Sequence, residues 1–257
     1  MEVKKPLAGL RVAVTRPQEQ SADLMELIRT AGGEALLYPL IDIVLRHQVA
    51  DFIEAISKLP DIYVFTSVNG VRAFVEGNLT LESPVVPNLP TFCVGKATAQ
   101  AASHAGFAVE PTPKVFAAEN LIERIGKARE GRKRVLFVRG NLVEPDFANA
   151  LSHMGFEVME VIGYETVTTP FAVRLMEDVH QRKVDAITFY SGSAVKAFFD
   201  VSIKRMEWDG VLAAVGPKTA KVIREYGYEP QVVAETASTN SLMDSLIHYF
   251  ISHTTYR

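Results

Sequence analysis

The chain alternates between short apolar runs and longer amphipathic stretches, with a small polar or glycine-bearing loop at nearly every changeover. Arg11 to Thr15 reads as a strand. Gln18 to Thr30 reads as a helix, because Leu24, Leu27 and Ile28 recur at i, i+3 and i+4. Gly32-Gly33 ends that helix, and Ala35 to Leu40 reads as a second strand. The rhythm predicts a strand over 62–66 with a helix over 68–76, and a strand over 91–94 with a helix over 96–105 closed by Gly106. It continues with a strand over 135–138, a helix over 144–153 closed by Gly155, and a strand over 157–162. Then come a strand over 185–190 with a helix over 192–200, a strand over 211–215 with a helix over 217–226 closed by Gly227, and a strand over 231–234. Such alternation predicts parallel sheets covered by helices and joined by right-handed crossovers. Pro84, Pro87 and Pro90 mark a surface loop, and Pro111 and Pro113 mark another before a helix starting near Ala118. Glu130-Gly131-Arg132-Lys133-Arg134 reads as a solvated basic turn.

The pattern also repeats. Asp61 to Phe74 returns as Asp185 to Phe198 at an offset of 124 residues, and Val94 to Ala99 returns as Val215 to Ala220 at an offset of 121. Arg11 to Arg16 returns as Arg134 to Arg139, offset by 123. Two similar lobes of about 120 residues are the expectation. The repeated loops are candidates to line a cleft between them.

Composition narrows the class. The 257 residues are 48% hydrophobic and 22% charged, as in an ordinary soluble globular protein. The net charge of −3 gives no global attraction to nucleic acid or an anionic membrane. A polyanionic ligand would need locally placed cations or backbone N–H groups. The single cysteine, Cys93, excludes an intramolecular disulfide, fits a reducing compartment and reads as a buried strand residue. Met1 to Pro6 lacks the apolar stretch of a signal peptide, and no run of about 18 apolar residues occurs, so a cytoplasmic protein is expected.

The strand-to-helix junctions carry the candidate chemistry: Thr15-Arg16-Pro17, Thr66-Ser67-Val68-Asn69, Gly95-Lys96-Ala97-Thr98, Arg139-Gly140-Asn141, Ser191-Gly192-Ser193 and Gly216-Pro217-Lys218-Thr219. In a parallel sheet these loops gather at the carboxyl ends of the strands, where ligands bind. They also open helices, whose free N–H groups and dipole favour anions. Ser, Thr and Asn are equally the preferred helix caps, so each loop alone has a purely structural explanation. Six together point to an anionic ligand held by amides, hydroxyls and a few cations.

Other chemistries lack their signatures. Gly95-Lys96 and Gly126-Lys127 have no upstream glycine of a Walker A loop, and no G-x-G-x-x-G follows the first strand. Tyr190-Ser191-Gly192-Ser193-Ala194 is not a nucleophile elbow. With no H-E-x-x-H, no cysteine pair and scattered histidines, no metal site is expected.

In order and spacing these loops resemble uroporphyrinogen-III synthases. The resembling segments are Val14-Thr15-Arg16-Pro17, Phe65 to Val71, Val94 to Ala99, Arg139-Gly140-Asn141, Val161 to Thr166, Phe189 to Val195 and Val215 to Ala220. They run from about residue 10 to 245, nearly the whole chain. The resemblance implies an α/β protein with two parallel-sheet, flavodoxin-like lobes joined by a two-stranded β linker, one lobe discontinuous in sequence. One lobe would comprise residues 1–37 plus 170–257 and the other 44–163, with linkers over 38–43 and 164–169. A two-strand hinge of this kind permits lobe motion.

The resemblance also implies the reaction. Linear hydroxymethylbilane loses its hydroxyl as water, the resulting azafulvene is attacked by the substituted carbon of ring D, and a spiro intermediate fragments and recloses with ring D inverted. No cofactor is implied. Tyr164 matches the family tyrosine proposed to assist hydroxyl departure, as a phenol able to donate a proton. Substrate carboxylates would be held by Arg16, Thr66, Ser67, Asn69, Gly95, Lys96, Thr98, Arg139, Gly140, Asn141, Ser191, Gly192, Ser193, Gly216, Pro217, Lys218 and Thr219. A cytoplasmic monomer in transient contact with hydroxymethylbilane synthase is implied, with neither nucleic acid nor membrane as partner. The loops alone fit equally a non-catalytic two-lobed sensor for an anionic small molecule. A nucleotide enzyme fits less well, for want of the glycine fingerprint.

Overall fold

Eleven strands and ten α-helices alternate along the described residues, which are 5–46, 49–79, 88–111, 118–128, 131–143, 146–202 and 206–253 of a computed structural model. The chain runs β1 (Arg11–Val14), α1 (Ala22–Thr30), β2 (Glu34–Leu37), β3 (Ile41–Leu45), α2 (Val49–Ser57), β4 (Ile62–Phe65), α3 (Val68–Leu79), β5 (Pro90–Cys93), α4 (Lys96–His104) and β6 (Ala108–Val109). It continues α5 (Ala118–Lys127), β7 (Arg134–Gly140), α6 (Asp146–His153), β8 (Glu157–Thr168), α7 (Phe171–His180), β9 (Ala186–Phe189), α8 (Gly192–Asp200), β10 (Val211–Ala214), α9 (Pro217–Glu225), β11 (Val232–Val233) and α10 (Thr239–His253). Pro84, Pro87, Pro113, Glu130 and the first two positions of the helix read over 144–153 lie outside the described residues. No helix among the described residues is long and apolar enough to cross a membrane.

The chain folds as two α/β units, Met1–Asp42 with Val167–Arg257, and Ile43–Thr166, so one is discontinuous in sequence. The discontinuous unit holds a five-stranded sheet in the order β11-β10-β9-β1-β2. All its pairings are parallel, for instance Val12 with Ala35 and with Ala186. Buried hydroxyls join β1 to β9: Thr15 Oγ1 donates to the Thr188 carbonyl at 2.7 Å, and Thr188 Oγ1 to the Ala13 carbonyl at 2.9 Å. The continuous unit holds the order β3-β8-β7-β4-β5-β6.

One expectation needs correction. The second sheet is not parallel throughout, because β3 joins its edge beside β8 and runs against that strand. Arg46 N–H donates to the Gly163 carbonyl at 2.8 Å and Thr169 N–H to the Leu40 carbonyl at 2.9 Å, the falling register of an antiparallel pair. The strand read over Ala35 to Leu40 is cut short at Leu37, two residues before Pro39, which has no N–H for a ladder. At the matching place in the second repeat no proline intervenes, and β8 runs 12 residues without a break.

The repeat maps onto the sheets strand for strand. β4, β5 and β6 match β9, β10 and β11, and β7 and β8 match β1 and β2. Each unit therefore takes part of its sheet from each half of the sequence. Alternation along the strands feeds two apolar layers per unit, one on each sheet face. Val12 and Val14 pack with Leu24, Ile28 and Leu242, while Ile187 and Phe189 pack with Leu175, Phe198 and Ile223. In the continuous unit Ile62 and Val64 join Leu121, Phe137 and Leu151; Tyr63 and Phe65 join Phe52, Phe74 and Phe107. Burying each such side chain stabilises by about 1.5–3 kcal/mol. The Tyr63, Phe65, Phe74 and Phe107 rings add edge contacts at 5.0–5.9 Å. These layers fix the strands, and the strands fix where the loops emerge.

Candidate functional site

Because the parallel strands of each sheet point one way, the expected residues fall into two groups, one at the carboxyl edge of each unit. In the continuous unit β4 delivers Thr66, Ser67 and Asn69, β5 delivers Gly95, Lys96 and Thr98, and β7 delivers Arg139, Gly140 and Asn141. Tyr164 stands on β8, paired to Gly140.

Tyr164 is held from three sides. The register jumps from Arg139–Ile162 to Gly140–Tyr164, so Gly163 is an extra residue and the bulge re-aims the strand beside the loop. Gly163 lies so close to Ala73 and Val138 that a Cβ there would stand 2.8 and 2.9 Å from their side chains. A Cβ on Gly140 would lie 2.6 Å from two ring carbons of Tyr164, so only glycine lets the ring lie flat there. The ring is buried, with 8% exposure. Ser67 Oγ donates to its phenol oxygen at 2.9 Å and accepts the Gly70 N–H at 3.1 Å. Ser67 is thus both the cap of α3 and a partner of Tyr164.

The neighbours divide between structural and open groups. Asn141 Oδ1 accepts the Thr166 N–H at 2.9 Å, extending the ladder between β7 and β8. Arg139 Nε lies 2.5 Å from Glu160 Oε2, and its Nη1 donates to the Gly140 and Val143 carbonyls at 3.2 Å. Thr66 Oγ1 is buried with no hydrogen-bond partner among the described residues. Gly95 caps α4 at φ 86°, a left-handed value that favours glycine. Lys96 is exposed beside it, and Thr98 is buried.

In the discontinuous unit β1 delivers Arg16, β9 delivers Ser191, Gly192 and Ser193, and β10 delivers Gly216, Pro217, Lys218 and Thr219. Ser191 repeats the capping of Ser67, accepting the Ala194 N–H at 3.2 Å, and its Oγ lies 3.0 Å from Ser193 Oγ. Pro217 opens α9 as its first residue, where no N–H is needed. Thr219 takes the third position of α9 as Thr98 does in α4, and both are buried. Lys218 is exposed. Arg16 lies over the Tyr190 ring, 4.3 Å from its centroid, and donates to Gln20 Oε1 at 3.1 Å. Burial pushes the Tyr190 phenol pKa up, against the pull of Thr239 and Arg16. Among the described residues no group of three or more His, Cys, Asp or Glu is arranged to hold a metal ion.

Sequence reasoning missed Glu160, Gly163 and Tyr190. The only signal for Tyr190 was its aromatic ring at the position that Thr66 holds in the other copy of the loop.

A family model described as uroporphyrinogen-III synthase HemD matches residues 22–245. The porphyrin biosynthesis protein HemD of Ruminiclostridium josui is 28% identical over 95% of this chain, which spans only 49% of that protein. The uroporphyrinogen-III synthase of Chlorobaculum parvum is 28% identical, with 87% of this chain and 92% of the relative covered. A putative uroporphyrinogen-III synthase of Methanothermobacter thermautotrophicus is 30% identical over 84% of this chain and 89% of the relative. Among solved structures, a mutant uroporphyrinogen III synthase from the extremely thermophilic bacterium Thermus thermophilus superposes with a TM-score of 0.70 at 22% identity, covering 95% of this chain and 100% of that one. The uroporphyrinogen-III synthetase of Helicobacter pylori 26695 gives 0.66 at 17% identity, covering 93% and 99%. At those identities the structural likeness is one of fold.

Proposed function

The chain belongs to the uroporphyrinogen-III synthase family, and from that premise we propose that it cyclises hydroxymethylbilane to uroporphyrinogen III with loss of water. Family membership favours this enzyme over a non-catalytic sensor of the same shape. The observation that carries the mechanism is the Ser67–Tyr164 pair. Ser67 Oγ donates to the phenol oxygen while it also accepts the Gly70 N–H. The phenol's own proton is left for a further acceptor.

Tyr164 then acts as general acid on the departing hydroxyl. The pyrrole nitrogen pushes electrons toward the terminal carbon, the C–O bond breaks, and the phenol proton makes the leaving group water. The electron-poor azafulvene is attacked by the substituted carbon of ring D, forming the spiro centre. Fragmentation and reclosure follow, and the proton released on closure restores the phenol. Direct closure to the type I isomer needs no inversion, so the protein's task is to hold one conformer; orientation is worth up to about 7–11 kcal/mol in well-aligned cases.

The acetate and propionate groups are held by the helix N-termini of α3, α4, α8 and α9 and by the side chains of Arg16, Lys96 and Lys218. Thr66, with its unpartnered hydroxyl, contributes a further polar contact. The enzyme works as a cytoplasmic monomer, where its one cysteine stays reduced, and takes the bilane from hydroxymethylbilane synthase.

A coupled assay tests the assignment. Hydroxymethylbilane generated in place should yield type III product, and chromatography giving only the type I isomer would refute it.

A further inference from the structure

The repeat sets Arg16 and Arg139 at matching places, 123 residues apart, at the carboxyl ends of matching strands. Their surroundings have diverged. Arg139 is neutralised by Glu160 at 2.5 Å and tied to two carbonyls. The residue matching Glu160 is Leu37, which offers no charge. Accordingly Arg16 has no carboxylate within ion-pair distance among the described residues. Its contacts are the Tyr190 ring at 4.3 Å and the Gln20 amide at 3.1 Å, both uncharged. A ring face attracts a cation without neutralising it, so Arg16 keeps its charge and N–H donors for a carboxylate.

Tyr190 is suited to that task alone. Its hydroxyl is buried, and although Thr239 and Arg16 approach, neither reaches it at normal hydrogen-bond geometry. The residue directly follows β9, and its ring packs on the apolar layer that holds Val14, Leu24 and Leu242, which limits how far it can swing away. We propose that Tyr190 is a positioning residue whose ring aims the Arg16 guanidinium as the carboxylate anchor of the discontinuous unit, while Arg139, its repeat counterpart, braces β7 against β8. The inference rests on the reading that this protein binds a polycarboxylate tetrapyrrole, and it names one contact of that site.

The test uses two readouts: fluorescence titration with uroporphyrin III, the stable oxidised form of the product, and the coupled assay. Arg16→Gln and Tyr190→Leu each weaken uroporphyrin binding about tenfold, the loss of one charge-assisted contact. They raise KM in step, with kcat within about twofold. Tyr190→Phe keeps the ring and retains parental affinity and KM, whereas Arg16→Gln/Tyr190→Leu is no weaker than either single variant, because both remove the same contact. Lys127→Gln controls for the loss of one exposed charge. If Tyr190→Leu does not fold, Arg16→Lys decides: it keeps the charge but not the planar group, and still loses affinity several-fold. Parental affinity in folded Tyr190→Leu or in Arg16→Lys, strictly additive losses, or no uroporphyrin binding by the parent overturns the proposal. Affinity that depends on Arg16 and Tyr190, with only type I product formed, upholds it and removes the synthase assignment instead.

Discussion

The Ser67 hydroxyl donates to the Tyr164 phenol oxygen at 2.9 Å while its own oxygen receives the Gly70 N–H at 3.1 Å. The serine thus sets the direction in which the phenol proton points. Tyr164→Phe should lower kcat roughly 100-fold, the scale of a lost general acid, with uroporphyrin affinity unchanged. Ser67→Ala should lower kcat less, and should cost about 1 kcal/mol of stability through the lost cap. Unaltered turnover in Tyr164→Phe would remove the tyrosine from the chemistry.

Gly140→Ala should act on Tyr164 from behind. The new methyl would stand 2.6 Å from two ring carbons, so the ring or β7 must move. Overpacking of this kind destabilises by about 1–3 kcal/mol. Turnover should fall, and Gly140→Ala/Tyr164→Phe should turn over no more slowly than Tyr164→Phe alone. A further loss in the double variant would mean that Gly140 acts by another route. Single-turnover assays with thermal melting separate the two effects.

Arg11 and Asp185 give a pH signature far from the loops. Burial alone would raise the Asp185 carboxyl, but the Arg11 guanidinium and backbone N–H, at 2.7–3.1 Å, outweigh it and hold the group below the usual carboxylate range. A depressed folded value stabilises above the unfolded pKa, about 3.9, and the benefit is lost as pH falls through the folded value. Asp185→Asn should therefore be about 1 kcal/mol less stable at neutral pH, a figure kept small because both groups are partly exposed. The gap should begin to narrow as pH falls below about 4 and close only below the lower value of the folded carboxyl. Urea unfolding of both proteins across pH measures it; a constant gap contradicts the assignment.

Cys93 should be inert in the native protein. It is buried on β5, and burial pushes its thiol up to about 12, so thiolate is scarce at neutral pH. An aromatic disulfide reagent should label it only after denaturation. Rapid labelling without denaturant would mean that β5 opens locally.

Much of this was legible in the sequence, for physical reasons that differ from place to place. Ser67 and Ser191 could be read as caps because capping is local, and both cap their helices. The helix over 192–200 was readable from a glycine–serine start followed by strong apolar spacing. α10 was not: only Leu242, Met243 and Leu246 are buried, among polar positions that blur its period. The antiparallel turn of β3 was hidden because the runs on either side of Pro39 look like one strand. Arg139 reads as a free loop cation until the register of β7 with β8 brings up Glu160, 21 residues later. Tyr164 came from family resemblance, since nothing local marks it among eight tyrosines, and the bulge that aims it leaves no trace in hydrophobic pattern.

The interleaved origin of the two sheets has a consequence for biosynthesis. Residues 43–166 leave the ribosome as a complete set of strands, able to close their sheet during translation. β1 and β2, made first, must wait: Arg11 meets Asp185, 174 residues later. Until β9 arrives the first-made strands keep an unpaired edge, the surface that invites wrong partners. A ribosome stalled before β9 would thus release a chain with one finished unit and two stranded, adhesive strands, so β1 and β2, though made before the strands they wait for, are the last to become safe.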